Sequence, residues 1–328
     1  VDRALTAAGV SGPTPGLSAD TWDEDVLRLG GHFLQSRAWQ HVQRRLGHEV
    51  LADRGEGWMW GGPVRGGRFP RYVYVPYGPA GTSLDKALES IMRAARARNL
   101  DFARIEPDAL DREALRAAGA VEARPVQPRW TWVLDLLPAI ETLRGGLAAG
   151  HRGSINAAAR RGLSLRRSSD AAEIALLWRL QRRAAAGGRH GGRGELYYRA
   201  LAECLLPSGA ASLYFAELHG EPVAAAISFD FGDTRYYAHA VSDPVAGRKL
   251  GAAAPLVWQM ILDARAAGRH HFDFWGVAPP GTRDHEWAGF TRFKQAFGGR
   301  LIERSGSWEV PVRAARHRLF TLMRALRP

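Results

Sequence analysis

Apolar residues recur along the chain with two periods, and each change of period marks an element. Residues 1–20 read as a loose tail. Phe33, Trp39 and Val42 then mark the buried side of a helix expected from His32 to Leu46. Tyr72-Val73-Tyr74-Val75 is a β-rich run, stopped by the turn cluster Pro76-Tyr77-Gly78-Pro79. Thr82 and Asp85 form a capping box. It opens a helix with Leu84, Ala87, Leu88, Ile91, Ala94 and Ala95 at helical spacing, ended by Asn99. Phe102 to Ile105 reads as a strand, and Arg129 to Asp135 as another with Trp130, Trp132 and Leu134 on one side.

The second half opens with an arginine-rich helix, His151 to Arg161, stopped by Gly162. Asp170 with Glu173 caps the next, which carries Ile174, Leu177 and Trp178. The glycine-rich run from Gly187 to Gly194 cannot hold a regular element. Three strands follow, Ser212 to Leu218, Val223 to Phe231 and Thr234 to Ala240. Then come a helix with Ala253, Leu256, Val257, Met260, Ile261 and Ala264, a strand from His271 to Trp275, and a last helix from Val312 to Leu326. The halves echo each other. Ala95-Arg96-Ala97 leads to Phe102 and Glu106, as Ala264-Arg265-Ala266 leads to Phe272 and Asp273. A duplicated α/β unit is therefore expected.

Composition narrows the class. A chain of 328 residues with 46% hydrophobic and 24% charged residues is globular and long enough for two domains. A single cysteine, Cys204, excludes a disulfide framework and a multi-cysteine zinc site. No stretch has the ~18 apolar residues of a membrane span, and no signal peptide stands at residues 1–19, so a soluble cytoplasmic protein is expected. Net charge is +12. Residues 151–200 hold eleven arginines against Asp170, Glu173 and Glu195, either a polyanion-binding surface or a solvated basic face. Only Lys86, Lys249 and Lys294 are lysines, so each of the three needs a reason.

Common catalytic signatures are absent: no G-x-S-x-G elbow, no G-x-x-x-x-G-K-[ST] loop, no G-x-G-x-x-G fingerprint. His270 and His271 are adjacent on a strand and face opposite ways, and His285 stands alone in a loop. Arg248 to Ala253 matches R-x-x-G-x-A between a strand and a helix, the kind of turn that presents backbone N–H groups to a pyrophosphate in N-acetyltransferases of the GNAT fold. Lys294 lies between Phe293 and Phe297, where a compact ammonium can follow charge developing on a reacting oxygen.

Several motifs together resemble the FemABX family of aminoacyl-tRNA-dependent peptidyltransferases. They are Gln35-x-x-x-Trp39, Tyr74-Val75-Pro76-Tyr77-Gly78-Pro79, the basic helix from Arg152 to Gly162, and Tyr197-Tyr198 after the loop arginine. Asp273 to Val277 and Arg292 to Gly299 complete the set. The likeness runs from about residue 30 to 310. It implies an α/β (α+β) fold of two tandem GNAT-like domains without the long coiled-coil arm of some members. Domain 1, on the acceptor side, would span 21–132 and be completed by a C-terminal helix at 306–328. Domain 2, at 133–305, would take the aminoacyl-tRNA.

The implied activity is transfer of an amino acid from aminoacyl-tRNA to an amine, forming an amide by ester aminolysis. The ester is already activated, so no cofactor, metal or nucleoside triphosphate is implied. Lys294 would stabilise the oxyanion and Phe293 position it. Arg193, Tyr197, Glu106, Tyr77, Gln43, Trp39 and His239 would bind the acceptor. Arg152, Arg160, Arg161, Arg316 and Arg318 would meet tRNA phosphates. Gln43 stands where the family has a phosphate-assisting lysine, with Arg44 and Arg45 the nearest cations in sequence, and His239 stands where a tyrosine is expected. The acceptor is accordingly a peptidoglycan stem peptide, nucleotide- or lipid-linked, or a peptide-like antibiotic or other natural product. Contact with a membrane would be peripheral only. An acyl-CoA-dependent N-acyltransferase and a non-catalytic RNA-binding protein remain the alternatives.

Overall fold

The computed structural model describes residues 21–108, 112–186, 193–282 and 284–326. The expected tail and most of the glycine-rich loop lie outside these. Six strands of the first half, β1 (Val50–Gly55), β2 (Trp58–Gly66), β3 (Arg71–Val75), β4 (Ala80–Gly81), β5 (Phe102–Ile105) and β6 (Val121–Ala123), enter one sheet. Seven more, β7 (Trp130–Asp135), β8 (Leu163–Ser168), β9 (Ala211–Leu218), β10 (Glu221–Phe231), β11 (Thr234–Ser242), β12 (His271–Gly276) and β13 (Arg300–Glu303), make a second sheet. The last strand, β14 (Ser307–Pro311), returns to the first sheet and pairs with both β5 and β6.

The expected duplication is visible in the pairing. β3 and β5 are parallel, joined by a crossover helix, and so are β11 and β12. Each second strand of these pairs is then flanked by an antiparallel strand from elsewhere in the chain, β14 beside β5 and β7 beside β12. Two boundaries differ from expectation. β7 pairs only within the second sheet, so Trp130 and Trp132 belong to that sheet rather than to the first domain. The segment from 306 onward is a strand before it is a helix, because Trp308 and Val310 fill the first core.

Among the described residues, twelve α-helices surround the sheets, beginning with α1 (Trp22–Arg28) and α2 (Arg37–Arg45). The helix expected from His32 is broken. Phe33–Gln35 is a single 3-10 turn, Ser36 is extended, and its hydroxyl caps α2 by accepting from Trp39 N at 3.1 Å. α3 (Leu84–Ala97) buries Ala87, Leu88, Ile91 and Ala95 as its period requires, but Ser83 is its N-cap and the Thr82 capping box does not form. α4 (Arg112–Ala117) and α5 (Ile140–Gly145) are short. α6 (Ala149–Ala157) carries the basic segment and passes into a 3-10 turn at Ala159–Arg161, ended by Gly162 at φ 75°. α7 (Ile174–Ala186), α8 (Glu195–Leu205), α9 (Ala246–Leu250) and α10 (Ala253–Ala266) cover the second sheet. α11 (Ala288–Gln295) and α12 (Ala314–Ala325) follow. The longest described helices have 14 residues, so no coiled-coil arm projects from them.

One core cluster crosses between the halves. Phe33, Leu34, Trp39, Val42 and Tyr77 pack with Leu177, Leu201, Phe229 and Tyr236. This shared core fixes the two sheets against each other and places the openings of both parallel pairs at one seam. β11 and β12 pair only up to Tyr236 and Asp273. Past that point they separate, and β12 turns away at Trp275, which is held at φ 63°.

Candidate functional site

The seam is built around the end of β12. Asp273 of β12 is buried; its Oδ1 accepts from Trp275 N at 2.7 Å. Burial raises its pKa, against the pull of Arg304 at 3.6 Å. Gly276 follows, and no larger residue fits there. A Cβ would lie 2.4 Å from Pro128 Cγ and 3.2 Å from the Trp287 ring. Its carbonyl oxygen accepts from Lys294 Nζ at 2.5 Å.

Lys294 reaches this carbonyl from α11, whose position is set by aromatic packing. Phe297 is buried against Phe274, and half-buried Phe293 packs at a tilt against His151 from α6, ring centroids 4.9 Å apart. Burial lowers the Lys294 pKa to about 8, with Asp273 pulling it back up. Phe290 sits one turn earlier on the same face as Lys294 and is exposed.

His32 and Tyr77 from the first half meet Tyr236 and Trp275 from the second, with ring centroids 4.5–5.3 Å from the His32 ring. His32 Nδ1 accepts from Leu34 N, so the neutral ring carries its proton on Nε2, which is buried without a partner. Burial holds its pKa well below the usual histidine value. Arg304 lies 4.3 Å over the Tyr77 ring, and the Tyr77 hydroxyl donates to Pro128 O at 2.8 Å. Glu106 is buried beside Tyr77. Its carboxylate accepts from Tyr74 Oη, Ser307 Oγ and the N–H groups of Val126 and Gln127. Burial pushes its pKa up against these bonds. With four donors of its own chain, Glu106 ties β5, β14 and the 126–127 loop together.

A second cluster holds most of the remaining residues expected to bind an acceptor. Arg193 lies 5.5 Å over the Tyr197 ring, and Tyr197 Oη bonds to His239 Nε2 at 3.0 Å. Burial and Arg193 push the His239 pKa down to about 4. Gln43 is buried, and its Oε1 accepts from Arg65 Nη2 at 2.9 Å. Arg65, on β2, also meets His48 at 2.6 Å, and its pKa is lowered by burial and by the charge of Arg193. So the cation beside Gln43 is Arg65, not Arg44 or Arg45, which turn to Gln40 and Glu203. Trp39 lies in the shared core rather than in the cleft, against Phe33 and Phe229.

The arginines expected to meet RNA are dispersed. Arg152 donates to Gly145 O and Leu147 O, Arg161 to Leu250 O at 2.8 Å, and Arg160 is exposed. These three lie on the α6 side, next to α11. Arg316 and Arg318 are on α12, over the first sheet, and Arg316 pairs with Asp101. A cavity of about 440 Å³ lies behind α11, lined by Ala278, Thr282, Thr291, Arg292 and Gln295 among others. Just before the R-x-x-G-x-A segment, Asp243 Oδ1 accepts from Val245 N and Ala246 N. The N–H groups of Lys249, Gly251 and Ala252 are bonded within the chain. No group of three or more His, Cys, Asp or Glu able to hold a metal exists among the described residues. No described helix is long and apolar enough to cross a membrane.

A family model described as an acetyltransferase (GNAT) domain matches residues 149–294. The crystal structure of FemX superposes with a TM-score of 0.81 at 17% identity, covering 93% of this chain and 98% of that one. The chain has a FemX-like tandem GNAT fold. The C-terminal domain (DUF2156) of a putative lysylphosphatidylglycerol synthetase from Agrobacterium fabrum gives a TM-score of 0.62 at 18% identity, covering 94% and 96%. A tandem GNAT protein from the clavulanic acid biosynthesis pathway gives 0.52 at 13%, covering 90% and 96%. No curated protein matches by sequence.

Within this FemX-like frame, three contributions escaped the sequence reading. Arg65 stands in an ordinary strand context, and only the fold sets it beside Gln43 and near Arg193. Gly276 is one of 37 glycines, and its role depends on Pro128 and Trp287 packing against it. Asp243 carries no motif of its own. Its offset of two and three residues before Val245 and Ala246 is the signal of an Asx turn.

Proposed function

We propose that the protein is an aminoacyltransferase that moves an amino acid from aminoacyl-tRNA to an amine on a phosphate-bearing acceptor. The observation that carries this reading is Lys294, a half-buried ammonium held on the Gly276 carbonyl at the seam of a FemX-like fold. An ammonium has three donors. One is taken by Gly276, and the others are free to meet the oxyanion formed when a neutral amine attacks the ester carbonyl. The C–N bond forms, the ester C–O bond breaks, the ribose hydroxyl leaves with a proton, and the amine releases its proton to water. A donor of this kind contributes about 3 kcal/mol to the transition state.

The acceptor's phosphate is assigned to Arg65 and Arg193, two guanidiniums brought together from opposite halves of the chain. Each can bind a phosphate oxygen pair in bidentate fashion. A retained cation at this place favours a peptidoglycan precursor or another phosphate-linked peptide over a neutral natural product. Arg152, Arg160 and Arg161 beside α11 would follow the tRNA backbone, and exposed Phe290 offers a face for its terminal base.

The GNAT family match keeps acyl-CoA transfer as the second reading. Against it stand the N–H groups of Lys249, Gly251 and Ala252 in the R-x-x-G-x-A turn, which are bonded within the chain, and the Asp243 carboxylate that caps Val245 N and Ala246 N just before the turn and would repel a pyrophosphate. The deciding experiment supplies labelled aminoacyl-tRNA or acetyl-CoA to the purified protein with a panel of amine acceptors. Transfer from tRNA alone supports the proposal. Transfer from acetyl-CoA alone overturns it, and tRNA binding without transfer to any acceptor leaves an RNA-binding protein.

A further inference from the structure

The last helix is turned the opposite way from an ordinary surface helix. Its polar side faces the protein. His317 Nε2 and Arg324 Nη1 reach buried Glu309 at 2.8 and 3.0 Å, and Arg316 pairs with Asp101. Burial pushes the Glu309 carboxyl up, yet Arg104, His317 and Arg324 hold it below the ordinary carboxylate range. Phe320 stacks on Phe102 at 5.3 Å. These contacts fix the rotation of α12.

With that rotation set, the outward face is apolar. Leu319, Leu322, Met323 and Leu326 are 51%, 63%, 41% and 83% exposed. Their spacing of three and four residues makes one continuous stripe. Val121 is also exposed and stands across β14 from Glu309, on the same side of the sheet. Residues 310–328 contain five arginines and no acid. Arg316 and Arg324 turn inward to Asp101 and Glu309, while exposed Arg318 borders the stripe and exposed Arg313, donating to Asn99, stands at its start.

We infer that α12 is a membrane-surface docking helix, whose leucines enter the interfacial region of an anionic bilayer while the flanking arginines meet lipid phosphates. The pattern of an apolar stripe bordered by arginine is the one that binds such surfaces. Charge selects this occupant. A second copy of a +12 chain would set the same arginines against each other, and RNA offers nothing to four leucine and methionine side chains. The inference stands apart from the proposed reaction, since it concerns a surface of the first domain away from Lys294.

Flotation of the purified full chain with vesicles tests it. Phosphatidylglycerol mixed into phosphatidylcholine should bind the protein, and phosphatidylcholine alone should bind it at least about tenfold less, in about 0.1 M salt. Leu319→Glu with Leu322→Glu should reduce binding to the anionic vesicles at least about tenfold. Leu319→Gln with Leu322→Gln should give an intermediate loss. Both side-chain pairs are exposed, so the thermal midpoint should stay unchanged. Equal binding of wild type and variants, or binding independent of lipid charge, overturns the proposal. So does a variant that loses tRNA binding or splits a dimer while vesicle binding persists.

Discussion

Lys294 Nζ donates to the Gly276 carbonyl oxygen at 2.5 Å, and so the ammonium is held by the end of β12 rather than by a carboxylate. A carbonyl orients the charge without neutralising it. Asp273, the nearby acid, is itself engaged with Arg304 and the Trp275 N–H. Lys294 is therefore expected to act as an oxyanion donor only while protonated. Its pKa of about 8 lies below the ordinary lysine value, so protonation is lost as pH rises through that point. Rates measured under saturating acceptor should fall above about pH 8, and Lys294→Met should reduce kcat by about a hundredfold and remove that limb. An unchanged limb in the Met variant would assign it to another group.

Gly276→Ala should disturb both stability and rate. The added methyl meets the Pro128 ring at 2.4 Å, and neither the ring nor the β12 terminus yields freely. A loss of about 1–3 kcal/mol is expected in chemical denaturation, together with a fall in kcat larger than the change in KM for either substrate.

Arg65→Met and Arg193→Met should each raise KM for a phosphate-bearing acceptor by at least about tenfold. The same variants should leave KM for its phosphate-free analogue nearly unchanged. Equal effects on the two acceptors would mean that the pair only holds the seam together.

Phe290→Ala should raise KM for aminoacyl-tRNA with little change in kcat for bound substrate. A stacked base is worth about 1–3 kcal/mol. The exposed position means that the thermal midpoint should not move.

Glu106→Ala should act mainly on the fold. It strands the Tyr74 and Ser307 hydroxyls and the Gln127 N–H, while Val126 N keeps Ser307 Oγ as acceptor. Each stranded donor costs about 1–3 kcal/mol, so urea denaturation should show a large loss of stability. If instead stability holds while acceptor binding fails, Glu106 is a binding residue.

Much of the architecture was legible beforehand, for reasons tied to particular segments. The Tyr72–Val75 and Phe102–Ile105 runs became the parallel pair β3 and β5, because β-branched and aromatic residues between strong turns have few alternatives. The repeat of Ala-Arg-Ala before an aromatic strand correctly marked two copies of one crossover. The helix expected from His32 failed at Ser36, where a hydroxyl cap outcompetes continuation. The return of the chain from 306 to the first domain was expected from the family resemblance, but that it returns as a strand, β14 beside β5 and β6, could not be read, since pairing partners more than a hundred residues apart leave no local trace.

The sequence by itself determined the local elements and the residue types available to a site. Periodicity set the α/β units, and the scarcity of lysine drew attention to Lys294. Local composition decides these matters, because backbone propensity and side-chain chemistry belong to single segments. Tertiary structure alone decided which charges meet. It put Arg65 beside Gln43, closed Glu106 into its own hydrogen bonds, drew Trp39 into the core, and turned the leucines of α12 outward. Those outcomes depend on packing between distant segments, where burial and steric fit choose among contacts that local sequence leaves equally open.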